Sequence, residues 1–194
     1  MADKAVAKNT DDAVPTDKKL DDLYDLIDGI EIAMLTTRRA DGHLVSRPMQ
    51  TQERATGLDL WFMTNVETHK LDDLMSDPHV NLAYYNTKSR EWVSVSGTAV
   101  ISQDRNMIHE LYKPDWKAWF GDEGGDRNGG PNDPRLALIL VEAQSVEYLV
   151  VSKPRPIVLF EVVKGMVTGS TPDVGEQRHL TERELQTRTA REAR

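Results

Sequence analysis

The sequence predicts a mainly β (α+β) fold: six or seven strands in an antiparallel sheet that closes into a barrel, with short flanking helices. Three observations carry this expectation. The apolar stretches between residues 31 and 151 are mostly short, and several alternate with the period of a strand. Turn-forming residues join the first two of them at hairpin distance, and hairpin connections make neighbouring strands antiparallel. A set of this size also has edges to protect, which closure into a barrel removes.

The chain reads in order as follows. Leu20, Leu23, Tyr24, Ile27 and Ile30 recur at helical spacing, with Thr16 and Asp17 placed to cap the helix and Gly29 to stop it. Residues 31–37 (EIAMLTT) form a strand, 39–42 (RADG) a turn, and 43–52 the hairpin partner. Residues 58–65 (LDLWFMTN) form the next strand. A short helix over 67–76 carries Leu71, Leu74 and Met75 and is closed by Asp77-Pro78. Strands follow at 80–85 and 91–102, then a helix at 104–112. A final pair of strands is expected at 136–141 and 146–151, and 157–167 is apolar enough for a helix or a strand, with a helix the favoured reading. The long connection over 114–132 combines two Trp and a Phe with five Gly, which marks a functional loop or a disordered one.

Apolar content is 39% and unevenly spread. Residues 1–16 read as a disordered tail, 17–169 as the folded domain, and 170–194 as a polar, mobile C-terminal tail whose bulky apolar residues are Val174, Leu180 and Leu185. A net charge of −8 disfavours nucleic-acid binding, because phosphate backbones need clustered Lys and Arg. The absence of cysteine removes disulfides, thiolate metal sites and thiol catalysis, and fits a reducing compartment. No stretch has the length of a signal peptide core or of a membrane span, so a cytoplasmic protein is expected.

Chemistry by side chains alone has little support. There is no dinucleotide or P-loop glycine motif and no nucleophile elbow; the five histidines lack metal-ligand spacing. No carboxylate lies in an apolar run that would raise its pKa. The informative stretch is 61–70 (WFMTNVETHK). A strand ends at Thr64-Asn65 and a helix begins just beyond, where free N–H groups attract an anion. Thr64, Thr68 and Lys70 would add hydroxyls and a cation for a phosphate; the other reading is an ordinary capped helix with a solvated lysine. In 46–51 (SRPMQT), an inward-pointing Arg47 needs an anionic partner, and Pro48 marks a sheet edge or bulge. Such an edge leaves main-chain groups free for a planar ring, and the alternative is an edge strand with Arg47 in water.

Arg47-Pro48-Met49-Gln50, then the strand through Met63, Thr64 and Asn65, then Thr68-His69-Lys70, together resemble the FMN-binding split barrels of the pyridoxamine 5′-phosphate oxidase-like superfamily. Trp92 with 93–97 (VSVSG), the 116–120 run (WKAWF) and 132–134 (NDP) resemble its general stress protein branch. The resemblance implies that Arg47 and Lys70 grip the FMN phosphate with Thr64 and Thr68 as hydroxyl donors. It also implies that Pro48, Met49 and Gln50 line the isoalloxazine edge. His69 stands where the oxidases carry a second basic residue, and Trp92 where they place a polar residue reaching the flavin from the partner subunit. A homodimer with the flavin at the interface, and a small-molecule redox partner, follow from the same resemblance. Trp116, Trp119 and Phe120 either cover the ring as a lid from the other protomer or pack on the barrel and dimer seam; the Gly-rich tract favours a movable cover. The branch implies a flavin-dependent oxidoreductase of open substrate, or a non-enzymatic flavin-binding redox sensor. Pyridoxamine 5′-phosphate oxidase itself carries an Arg-x-His substrate motif near its C-terminus. Here 148–156 has none, and Arg178-His179 are adjacent rather than spaced.

Overall fold

The computed structural model describes residues 14–55, 57–151, 164, 166, 168 and 175–186. Nearly all of the expected N-terminal tail and most of the expected helix at 157–167 lie outside the described residues.

Helix α1 (Thr16–Ile30) buries Leu20, Leu23, Tyr24 and Ile27, the stripe that its 3-, 4- and 7-residue spacings predict. Its ends differ from expectation. Pro15 holds the cap position and no side chain caps the helix; Thr16 is already helical, and its hydroxyl donates to Glu184 instead (3.4 Å). Gly29 lies inside the helix. The turn is made at Glu31, which adopts φ 66° with its N–H on the Ile27 carbonyl (2.9 Å), so the C-terminal bond of the helix is made without glycine.

Among the described residues seven strands follow, all antiparallel: β1 (Ile32–Arg38), β2 (Leu44–Gln50), β3 (Leu60–Asn65), β4 (His79–Tyr85), β5 (Trp92–Ser102), β6 (Leu136–Val150) and β7 (Glu176–Thr181). The order across the sheet is β2-β1-β4-β5-β6-β3, with β7 also on β6. Beyond β2, the Gln52 N–H donates to the Trp61 carbonyl of β3 (3.1 Å), so the two ends of that path curl together and the sheet becomes a barrel. Alternation sets the core. Ala33, Leu35, Leu82, Tyr84, Val93 and Val95 point inward against α1, while Ile32, Met34 and Tyr85 point out.

The β3–β6 pair is different, because both of its faces are covered. Leu60, Phe62 and Ile139 join the main core; Trp61, Leu136 and Leu138 pack on the other side. There they meet α3 (Arg105–Leu111) and a 3₁₀ turn (Pro114–Trp119). Two-sided burial is why these strands read as continuous apolar runs.

Two expectations are corrected. The final pair of strands is one 15-residue strand, β6. Residues 142–145 (EAQS) contain no Gly, Pro or Asn to turn the chain, and the irregularity is absorbed as a register shift against Ser96/Gly97. A side chain at Gly97 would run into the Glu142 carbonyl, so glycine permits that close approach. The polar C-terminal segment is also not a free tail over 175–186. β7 pairs with β6, residues 182–186 are helical, and Leu180 and Leu185 complete the core. Its charges are spent on docking: Arg178 pairs with Asp22 and Glu176, and Lys19 with Glu184 (3.6 Å).

Candidate cofactor site

The corner where β1, β2 and β3 meet helix α2 (His69–Ser76) gathers the predicted cations. Arg47 lies opposite the buried Leu35 in the β1–β2 register, so its side chain leaves the inner face of the sheet. It finds the anionic partner that such a position demands, and that partner is a protein carboxylate. Arg47 Nη2 donates to Asp73 Oδ2 (3.0 Å) and Nη1 to Thr37 Oγ1 (2.8 Å); Thr37 Oγ1 donates to the same Asp73 oxygen (3.0 Å). Two of the five guanidinium N–H groups are thus engaged, and the other three make no bond among the described residues.

Lys70, on the first turn of α2, donates to the hydroxyl of buried Thr64 (3.0 Å). No carboxylate pairs with it among the described residues. Burial, and then the charge of Arg47, push its pKa below the ordinary lysine value. The corner therefore holds two mutually repelling cations and one tethered carboxylate.

The connecting turn is built from its own side chains. Asn65 Oδ1 accepts from the Glu67 N–H (2.8 Å), and the Thr68 hydroxyl donates to the Asn65 carbonyl (2.8 Å). The helix begins at His69, two residues later than expected, because this Asx turn claims Glu67. Thr68 occupies the cap position without a side-chain cap bond, which leaves the opening N–H groups of α2 uncapped by it. His69 is solvent-exposed beside Asp72 (3.5 Å). It lines an open groove of about 590 Å³ with Arg39, Val45, Arg47 and Asp73.

The remaining predicted residues separate by strand parity. Met49 points into the main core, and Met63 packs against the second cluster. Pro48 and Gln50 face outward from edge strand β2, opposite Met34 and Ile32. Trp92 is half-buried opposite Tyr85, in the outward row of β5. The aromatic loop divides in the same way. Trp116 and Phe120 are buried in the second cluster, Trp116 edge-on to Trp61 (6.0 Å) and Tyr112 (5.6 Å), with its indole N–H on Gln52 (3.2 Å). Trp119 is 76% exposed.

The Gly-rich tract, expected as a movable cover, is bonded to a buried ion-pair network. Arg135, fully buried, donates to the carbonyls of Phe120 (2.8 Å) and Gly121 (3.0 Å) and pairs with buried Asp133 (2.7 Å) and with Glu123 (2.7 Å). Asp133 accepts in turn from the Gly129 N–H (2.7 Å). The Arg135 guanidinium, and then these backbone donors, hold the Asp133 carboxyl well below its usual range against the opposing effect of burial. Sequence reading singled out none of Arg135, Thr37 and Asp73, and took Asp133 only as part of the 132–134 motif. Thr37 shares the inward row of β1 with Ala33 and Leu35, a period-2 signal that could have found it, whereas nothing in the spacing of Asp73 or Arg135 announces burial.

With this geometry established, comparison with known proteins is decisive at the family level. The family model described as pyridoxamine 5′-phosphate oxidase like matches residues 18–173. The chain belongs to this family. Within it, the chain is 39% identical over 188 residues to protein bli-3 of Neurospora crassa, covering 95% of this chain and 90% of that one. A crystal structure of a general stress protein 26 from Jannaschia sp. superposes with a TM-score of 0.63 at 25% identity, covering 85% of this chain and 99% of the other. The general stress FMN/FAD binding protein of Xanthomonas citri superposes with a TM-score of 0.55 at 26% identity, over 68% and 88%. The match of this pyridoxamine 5′-phosphate oxidase-like chain to the family model begins within α1 and ends short of β7.

Proposed function

We propose that this chain binds FMN, with the phosphate held at the Arg47–Thr64–Lys70 corner, and acts as a flavin-dependent oxidoreductase of the general stress protein type. The observation that carries the proposal is the Lys70 amine. It is drawn into a half-buried corner beside a second cation, with a hydroxyl for its partner and no carboxylate bonded to it among the described residues, an arrangement that an anion would relieve. The free N–H groups of Arg47, the opening turn of α2 and the Thr64 hydroxyl suit a phosphomonoester by the chemistry of their donors. Edge strand β2 offers main-chain groups beside that corner for a hydrogen-bonding ring. The similarity to a protein named for FMN/FAD binding supports the same ligand class.

Bound flavin would supply the redox chemistry, accepting two electrons from a donor and passing them to an acceptor. The chain's own residues bind and orient. Asp73, the buried carboxylate of the corner, is committed to Arg47 and Thr37, which leaves it no free role in proton transfer. That commitment also favours a second reading, a flavin-binding sensor without turnover. Pyridoxamine 5′-phosphate oxidase activity fits poorly. Arg178, the arginine nearest to such a substrate motif, is buried in ion pairs with Asp22 and Glu176.

A homodimer in the cytoplasm, with the site at the subunit interface, completes the proposal. Its support is the outward face of β1, β2 and β4, where Ile32, Met34, Pro48 and Tyr85 are exposed as an apolar band. No helix among the described residues is long and apolar enough to cross a membrane. The test is the visible spectrum of the purified chain, its mass in solution, and its response to NADH or NADPH followed by an acceptor. A yellow dimer that is reduced and reoxidised supports the enzyme, and a yellow but inert protein supports the sensor. A colourless chain that takes up no FMN ends both readings.

A further inference from the structure

We infer that Thr37 and Asp73 are positioning residues that lock the Arg47 guanidinium and thereby set the preference of the site for phosphate-bearing over phosphate-free flavin. The inference rests on the reading of this corner as the FMN phosphate site. It starts from an apparent contradiction, since a carboxylate 7% exposed stands inside a corner read as an anion site. A charge so placed repels phosphate, and its presence there calls for a compensating role.

The hydrogen bonds supply one. Arg47 bonds both Asp73 Oδ2 (3.0 Å) and Thr37 Oγ1 (2.8 Å), and those two atoms are bonded to each other (3.0 Å). Each member of this closed ring touches the other two. A planar fork held at both terminal nitrogens by partners that are themselves joined cannot swing away, so its ordering is completed on folding rather than on ligand binding. Thr37 is fully buried on β1, and Asp73 lies one helical turn after Lys70 on α2. A single helix thus delivers both the Lys70 amine and the tether of the other cation, and strand β1 supplies the third contact. The three remaining N–H groups of Arg47 stay available to the ligand.

The test uses the full chain and compares the affinities of FMN and riboflavin by quenching of flavin fluorescence, for wild type, Thr37→Val, Thr37→Ser and Asp73→Asn. Thr37→Val removes both of its bonds to the ring without changing charge. It should weaken FMN by about three- to tenfold and leave riboflavin within about twofold, and Thr37→Ser should restore the wild-type ratio. Asp73→Asn removes a negative charge from an anion site, yet it should weaken FMN as well. An unchanged FMN-to-riboflavin ratio in Thr37→Val, or tighter FMN binding in Asp73→Asn, overturns the inference while leaving the phosphate site standing. Equal affinity of the wild-type chain for both flavins overturns the site and the inference together. Should Asp73→Asn fail to fold, the two Thr37 variants decide the matter.

Discussion

The amine of Lys70 is held beside the Arg47 guanidinium with the Thr64 hydroxyl as its hydrogen-bond partner, and both burial and that neighbour favour its neutral form. A phosphate placed there would offset both effects by supplying an opposite charge. Lys70→Ala should therefore weaken FMN by about ten- to a hundredfold and riboflavin far less, measured by titration of flavin fluorescence. This part of the site was legible in the sequence, because a strand end, a helix start and a lysine on the first turn lie within ten residues. Asp73 was not. In 69–76 (HKLDDLMS) it is one of two adjacent aspartates on a short amphipathic helix, where carboxylates are ordinarily solvated, and only the approach of β1 and β2 buries it. Arg47 shows the same limit from the other side: its need for an anion was readable, but which anion meets that need depends on tertiary contacts.

At the scale of elements, Arg135 ties the end of the 3₁₀ turn to the Gly-rich tract by bonding the carbonyls of Phe120 and Gly121. Removing that side chain leaves Asp133 buried without its partner, an arrangement that proteins tolerate poorly. Arg135→Met should lower Tm by about 5–10 °C and speed amide exchange across 120–130, read by calorimetry and by hydrogen–deuterium exchange. The glycine count of the tract was legible in the sequence, whereas the arginine that gathers its carbonyls was not, because Arg135 lies beyond the tract and only the fold brings it back. Elsewhere, element types were readable from periodicity, whereas boundaries were lost where tertiary contact replaced a local signal. Helix α1 passes through Gly29 because Glu31 makes the turn, and β6 runs on where two strands were expected because Gly97 lets its neighbour accommodate the shift.

For the whole molecule, two buried tyrosines tie the sheet to its surroundings. Tyr84 shares a hydrogen bond with Thr51 (2.9 Å), and Tyr148 donates to the Lys19 carbonyl of α1 (2.7 Å). Burial pushes each from an ordinary value near 10 up to about 12. Unfolded chains lose these protons first as pH rises, so the stabilisation is complete below about pH 10 and is lost progressively between about 10 and 12. Urea midpoints measured across that window should fall steeply, and Tyr84→Phe should flatten part of the slope. The barrel was anticipated from the number of strands and their hairpin spacing. The docking of β7 was not, because a six-residue strand rich in Gln, Arg and His carries too little apolar signal to be told from a tail.

Strand order has a consequence for synthesis. β1, β2, β4 and β5 can pair with one another as they emerge, but β3 has its ladder partner in β6, and the 70 residues from 66 to 135 separate the two. Until β6 leaves the ribosome, β3 has no ladder partner, and Trp61 lacks the Leu136 and Leu138 side chains that pack beside it. A growing polypeptide thus carries the stretch that ends in Thr64 with an open hydrogen-bonding edge until late in synthesis.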